Sequence, residues 1–399
     1  MRILLVHNYY RGGGSGGEDI VFQQERAMLL DAGHEVFCYT RTNDEMDEQS
    51  FVDRARVLEG LGRSRRTLRE LGLLIRKARP QVAHFHNVFP LISSSGYEAC
   101  AVGGVPVVQT VHNFRMVCTS ATHFRAGAIC ESCTPGNPWS AVRHACYRGS
   151  RVASFAVAAM LHRNHRLAVY HQWISRFIAL TDFSARRLIA MGIPSSRVSV
   201  KPNFVELLVD RSGSSARSSK FIFVGRLAEE KGARFILEAW TRLRDVPLLM
   251  VGDGPLRFAL ETYARRNDLP VEFAGMQDRN QIFRLVKSAR AAVVPSLCFE
   301  GGVPLTLIES MALGTPILAT RLGPIPEFVT HGVDGLLFKP GDAEELVFSV
   351  RKLADDDGLC VALAERALQL VKRVHGREAN TRELIKIYKA VCTDGGNAQ

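Results

Sequence analysis

"FVGRLAEEKG", residues 223–232, runs an apolar segment into a glycine and then sets Arg226 and Lys231 five positions apart. The residues before it, Phe221 and Ile222, extend the apolar run to the length of a buried strand, and "RFILEAW" after it has helical spacing. A strand entering a helix through a glycine turn is the repeating unit of α/β proteins with parallel sheets. Two fixed cations beside a helix amino end suit a diphosphate, whose negative charge grows as the group it carries departs.

The same alternation extends in both directions. Ahead of this stretch, β-rich runs fall at 2–7, 35–40, 82–86, 105–111 and 177–181; from it onward they fall at 221–225, 248–252, 271–274, 291–295, 317–319 and 335–338. A Ser/Gly/Arg tract at 211–219 separates the two series and reads as a linker. We therefore expect two doubly wound α/β domains facing each other across a cleft, with ligands at the carboxyl ends of the strands. The boundaries are residues 1–203, a linker over 204–219, and residues 220–377, with an amphipathic helix from about 378 to 399 packing back on the first domain.

With 399 residues the chain is long enough for two cores. No apolar run reaches membrane-spanning length, and the apolar stretch after Met1-Arg2 is too short for a signal peptide, so a cytoplasmic location is expected. The net charge of +11 is one-sided: residues 1–205 hold 25 Lys/Arg against 15 Asp/Glu, and residues 206–399 hold 26 against 25. That field implies an anionic partner. Nucleic acid is excluded, because the basic residues show little aromatic interleaving and no helix-turn-helix or RNA-binding signature is present.

Gly12, Gly14 and Gly17 spell G-x-G-x-x-G within "HNYYRGGGSGGED" (7–19). Two details argue against a nicotinamide or flavin site. Four residues separate the preceding strand from the first glycines, and "EVFCYTRT" (35–42) ends without the acidic residue that would grip a ribose. What remains is a loop whose amides can approach a phosphate or sugar. In the second half, "VGDGPL" (251–256) offers Gly252 and Gly254 at a strand end, with backbone free to touch a planar base. "CFEGGVPLTLIESMALGTPI" (298–317) offers Glu300, then a helix bearing Glu309, carboxylates able to accept sugar and ribose hydroxyls.

Taken in this order, the motifs resemble the donor domain of the family 4 retaining glycosyltransferases of the GT-B fold, in the bacterial cell-wall and exopolysaccharide class. The resemblance implies that Arg226 and Lys231 hold the donor diphosphate and that Glu300 and Glu309 bind the donor sugar and the nucleotide ribose. Eight residues separate these glutamates where the family has seven, which leaves the backbone of Gly301 or Gly302 as an alternative to Glu300. It further implies donor contacts from Gly13, Gly14, Gly225, Thr306 and Leu307. "QTVHNF" places His112 near the reacting sugar, and "FIALTDFSARRL" places Thr181 toward the cleft. Catalytic roles then fall to His112, Arg226, Lys231 and Glu300. No D-x-D motif stands in a metal-binding context, so no cofactor is expected for catalysis.

The implied reaction moves a sugar from a nucleotide-diphosphate sugar to a glycan or a polyprenyl- or lipid-linked acceptor. The alternatives are an epimerase or phosphorylase on the same scaffold, or a non-catalytic sugar-nucleotide-binding protein. Basic amphipathic stretches at 54–80 and 148–176 imply peripheral attachment to an anionic membrane surface, on the inner face of the cytoplasmic membrane. Cys118, Cys130, Cys133 and Cys146 form a C-x₂-C pair flanked at eleven and twelve residues, a spacing that permits a structural zinc.

Overall fold

The computed structural model describes residues 1–12, 16–46, 62–205 and 217–394. These divide into two compact units. The first takes Met1–His123, Cys130–Asn203 and the stretch from Arg377 onward; the second takes Phe124–Ile129 and Phe204–Gly376. Of the expected linker, residues 206–216 lie outside the described part. Phe204 and Val205 are buried, and Val205 N–H donates to His375 O at 3.3 Å.

In the first unit the strands are β1 (Arg2–Tyr9), β2 (Glu35–Thr42), β3 (Val82–Phe85), β4 (Val107–Val111), β7 (Arg176–Ala179) and β8 (Val198–Val200), all parallel in the order β2-β1-β3-β4-β7-β8. A two-residue antiparallel hairpin, β5 (Phe124–Arg125) with β6 (Ala128–Ile129), falls between β4 and β7 in sequence. The central strands β3 and β4 are buried along their whole length, including the polar His84, Gln109 and Thr110, so neither shows an exposed polar alternation. Helix α1 (Gly17–Asp31) covers β1 and β2, α2 (Arg65–Ala78) packs on α3 (Ser95–Val102), and the last helix closes onto β3 and β4. That last helix spans Arg377–Asp394 and buries Leu384, Ile387, Tyr388 and Val391.

The second unit repeats the plan with β9 (Phe221–Val224), β10 (Leu248–Val251), β11 (Val271–Gly275), β12 (Ala291–Val294), β13 (Ile317–Thr320) and β14 (Leu336–Phe338), ordered β11-β10-β9-β12-β13-β14. Period-two alternation splits its core between the two faces of the sheet. Phe221 and Phe223 join Trp240, Leu248 and Met250 in one cluster, while Ile222 joins Leu307, Ile308 and Met311 in the other. Trp240 satisfies its buried indole N–H on Val246 O at 2.8 Å.

One glycine ties the strand ends of this unit together. Gly232 has φ +73°, and a Cβ there would stand 2.0 Å from Pro295 O at the end of β12. Gly33 also has a positive φ, +77°, with nothing within 4 Å of its Cβ position. Gly33→Ala should therefore cost only the left-handed penalty, about 1–2 kcal/mol. Gly232→Ala should cost clearly more, read as faster amide hydrogen exchange in β9 and β12 with β1 unaffected. Equal effects at the two glycines would refute the close-approach account.

Candidate active site

The order of the second sheet reverses at β9, which lies between β10 and β12. The segments after β9 and β12 leave in opposite directions there, opening a crevice at the carboxyl ends of the strands where ligands bind in open α/β sheets. Arg226, Lys231 and Glu300 all lie on those two segments. The turn after β9 is fixed by Leu227 N–H donating to Asp253 O at 2.9 Å and Leu256 N–H donating to Leu227 O at 3.0 Å. A Cβ on Gly252 would meet Gly225 O at 2.0 Å, and one on Gly254 would meet Leu227 O at 2.5 Å. These glycines, expected to free backbone for a base, also let two strand-end turns approach each other.

Lys231 and Glu300 meet at this crevice, with Nζ 2.6 Å from Oε1. Ser296 Oγ donates to the same carboxylate oxygen at 3.0 Å. Burial works against the Lys231 charge, but Glu300 outweighs it and holds the ammonium above its ordinary range. The extra residue between the two glutamates therefore does not displace Glu300 from the site. Arg226 is exposed, its guanidinium 3.8 Å from Glu230. Gly301 and Gly302 are buried just before Pro304, and the following helix, α9 (Leu305–Ala312), carries Thr306 and Glu309. The Leu307 side chain is fully buried in the core and its N–H donates to Pro304 O at 3.0 Å, so the side chain supports the helix.

Glu309 accepts a hydrogen bond from Arg279 at 2.8 Å. Arg279 was not anticipated from sequence. It opens helix α8 (Arg279–Ser288), capped by Asp278, and its guanidinium lies 5.0 Å from the Phe283 ring centre. Burial raises the Glu309 carboxyl above its usual range, while Arg279 opposes the rise.

In the first unit the sheet order reverses at β1, between β2 and β3. His7 Nε2 is bonded to Asp19 at 2.7 Å, and Asn8 N–H donates to Asn87 O at 2.8 Å. His112 follows β4, with its Nε2 2.9 Å from His86 Nδ1. Burial and the neighbouring His86 keep it well below the usual histidine range, hence neutral. Glu25, His84 and His86 present three ligand-type atoms all within 4.8 Å of one another. The Lys201 ammonium, 2.8 Å from Glu25, already supplies the cation there, and both ring nitrogens of His84 are bonded, to Tyr388 and Thr110. The group is a polar network, not a metal site.

Gly13 and Gly14 lie outside the described residues. The helix behind them has Glu18 and Asp19 in its first turn, so carboxylates already face its positive end. Thr181 does not turn outward: its hydroxyl accepts from Ser184 N–H and caps the next helix. Burial, then the neighbouring Cys118, Cys146 and Cys130 thiols, push the Cys133 thiol up to about 11.

The Glu309–Arg279 pair makes a direct prediction. Carbon-13 spectra of glutamate-labelled protein, with Glu309→Gln to identify the signal, should show Glu309 titrating above the ordinary glutamate range. Arg279→Ala should move it higher still, by removing the cation that resists protonation. A downward shift in that variant would overturn the assignment of causes.

Residues 15–207 match the family model Glycosyltransferase Family 4, and residues 218–356 match Glycosyl transferases group 1. The amylovoran biosynthesis glycosyltransferase AmsK of Erwinia amylovora is 30% identical over 198 residues, which is 45% of this chain and 48% of that protein. The lipopolysaccharide core biosynthesis glycosyltransferase LpsE of Rhizobium meliloti is 34% identical over 162 residues, 40% of this chain and 46% of that protein. The chain thus spans about half the length of the curated relatives it matches. Anabaena HepE, solved in complex with UDP-glucose, superposes with a TM-score of 0.69 at 16% identity, covering 98% of this chain and 100% of that one, a likeness of fold. With both halves matched in sequence and a Rossmann-like parallel sheet present in each unit, the chain belongs to the group 1, family 4 glycosyltransferases.

Proposed function

We propose that this protein transfers a sugar, with retention of anomeric configuration, from a nucleotide-diphosphate sugar to a glycan or lipid-linked acceptor in polysaccharide or cell-envelope synthesis. The observation that carries the proposal is the Lys231–Glu300 pair at the sheet reversal, a cation and a hydroxyl-accepting carboxylate fixed 2.6 Å apart. The ammonium meets a diphosphate and Glu300 takes sugar hydroxyls, while Glu309 lies one helix turn or more further on for the ribose. As the sugar leaves, charge builds on the diphosphate, and Lys231, with Arg226, neutralises it in place of a divalent ion. The departing phosphate oxygen takes the acceptor's proton on the same face of the sugar, which gives retention. AmsK and LpsE, named for amylovoran and lipopolysaccharide core synthesis, support the acceptor class, and HepE supports a uridine-diphosphate donor.

A screen of UDP-, GDP- and ADP-sugars by thermal shift should find one donor that raises the melting temperature. Lys231→Ala and Glu309→Ala should each lose about 2–4 kcal/mol of transition-state stabilisation while folding normally. Turnover should persist in a chelator, and the product should keep the donor's anomeric configuration by NMR. Near-normal turnover of Lys231→Ala would remove the diphosphate assignment, and acceptor-free donor turnover would favour an epimerase.

The acceptor side of the proposal includes docking to an anionic membrane, through a patch at the start of the second of the two expected stretches. The apolar stripe of α2 is used internally: Leu71 and Ile75 are buried, and Leu68 and Leu74 pack on the core. In helix α4 (Arg151–Arg166), Val157, Met160 and Leu161 form a small core of their own. The outward residues are Val152 at 76% exposed, Phe155 at 55% and Trp139 at 38%, with the two aromatic rings 5.8 Å apart and Arg143 and Arg151 alongside in sequence. No helix among the described residues is long and apolar enough to cross a membrane. Vesicles rich in phosphatidylglycerol should bind the protein, and salt should release it. Phe155→Ser with Val152→Ser should weaken binding. Equal binding to neutral vesicles would dismiss an electrostatic dock.

A further inference from the structure

Behind His112 lies a run of polar contacts that the reaction as described does not use. His112 Nε2 is 2.9 Å from His86 Nδ1. On its other side, His86 Nε2 is 3.4 Å from Glu25 Oε2. Both of those atoms are buried and neither makes a well-aligned hydrogen bond; Glu25 Oε2 also lies 3.6 Å from His84 Nδ1, which is itself bonded to Tyr388. The second oxygen of Glu25 accepts from the Lys201 ammonium at 2.8 Å, and the ammonium also donates to Asn380 Oδ1 at 2.9 Å. Glu25, His86 and Lys201 are all buried. The opposing burial is strong, but Lys201 and then His86 keep the Glu25 carboxyl well below its usual range, so it is ionised. Burial keeps both imidazoles neutral.

These facts determine where the ring protons sit. A carboxylate only accepts, so the atom of His86 that faces it must carry hydrogen. A neutral imidazole has one N–H, which leaves His86 Nδ1 bare. Its partner, His112 Nε2, must then donate. The opposite arrangement would turn two acceptors, Glu25 Oε2 and His86 Nε2, toward each other in a buried site. The remaining nitrogen of His112, Nδ1, is therefore a lone-pair acceptor.

We propose that Glu25 and His86 are positioning residues that lock His112 as the neutral Nε2–H tautomer, so that its Nδ1 accepts a hydrogen bond from a hydroxyl of the bound sugar. Lys201 holds Glu25 ionised and oriented for this task. The inference rests on the reading of His112 as a sugar contact.

Nitrogen-15 NMR of histidine-labelled protein reads the tautomer directly, with His112→Asn identifying the signal. Wild type should show His112 neutral and protonated at Nε2. Glu25→Gln should invert it. Lys201 can only donate, so it draws the amide oxygen and turns the amide NH₂ toward His86 Nε2. His86 then carries its hydrogen on Nδ1 and donates to His112, which becomes Nδ1–H. Turnover of Glu25→Gln should fall tenfold or more, because a donor now stands where an acceptor is needed. A wild-type His112 protonated at Nδ1, or an unchanged tautomer in a folded Glu25→Gln, overturns the proposal. If Glu25→Gln does not fold, the wild-type tautomer alone decides. Full turnover in His112→Asn alongside the expected spectra would refute the sugar contact and leave the tautomer lock standing.

Discussion

Parallel strands all finish at one edge of their sheet, and that constraint gathers the candidate site residues of both units. Where the order reverses, at β9 and at β1, the covering segments diverge and the residues just past two neighbouring strands converge. Lys231 and Glu300, 69 positions apart in sequence, come within 2.6 Å in this way. His86 and His112, just past the adjacent strands β3 and β4, meet 2.9 Å apart at the same edge of the first sheet, beside its reversal and not at it. The glycines serve the same geometry, since strand-end turns brought so close leave no volume for a Cβ between them.

The constraint has an electrostatic cost, most visible at Glu25. A carboxylate with no exposure loses several kcal/mol of hydration, and an ammonium beside it recovers that only with good geometry and further hydrogen bonds. Lys201 supplies the charge, and Asn380 on the last helix supplies the further bond. Asn380 also donates to Pro202 O, and Tyr388 bonds His84, so the last helix is fastened to the first unit by polar as well as apolar contacts. An apolar replacement of comparable volume would pack as well. What the ionic version adds is direction: a fixed acceptor that orders every hydrogen beyond it.

The legibility of the fold in the sequence follows burial. Strands such as β9 and β12 show as apolar runs because both faces are covered. The strand β8 was missed because Val198–Val200 is a three-residue edge strand, half exposed, with a serine at its centre. The β5–β6 hairpin was missed because two residues per strand carry no periodicity. Lys231, Glu300 and Glu309 were legible because each sits in a local motif with a chemical reason for its spacing. Glu25, His86, Lys201 and Arg279 were not. The hydrogen-bond partners of their side chains lie 26 to 179 positions away, so only the folded sheets bring them together.

The two units use one architecture for opposite electrostatic ends. In the second, the sheet reversal displays charge: the Lys231 side chain keeps 34% of its exposure and Arg226 65%, so both remain available to an incoming anion. In the first, the corresponding edge hides charge and presents neutral imidazole. Ten of the twelve histidines belong to residues 1–205, which also carry most of the positive net charge. A protonated His112 would add a cation and remove the acceptor at one stroke. Burial with His86 prevents that, and Glu25, ionised but screened by Lys201, steers the remaining hydrogens without lending His112 a proton. The basic character of this half thus resides in its surface arginines, while the chemistry at its strand ends depends on groups kept uncharged.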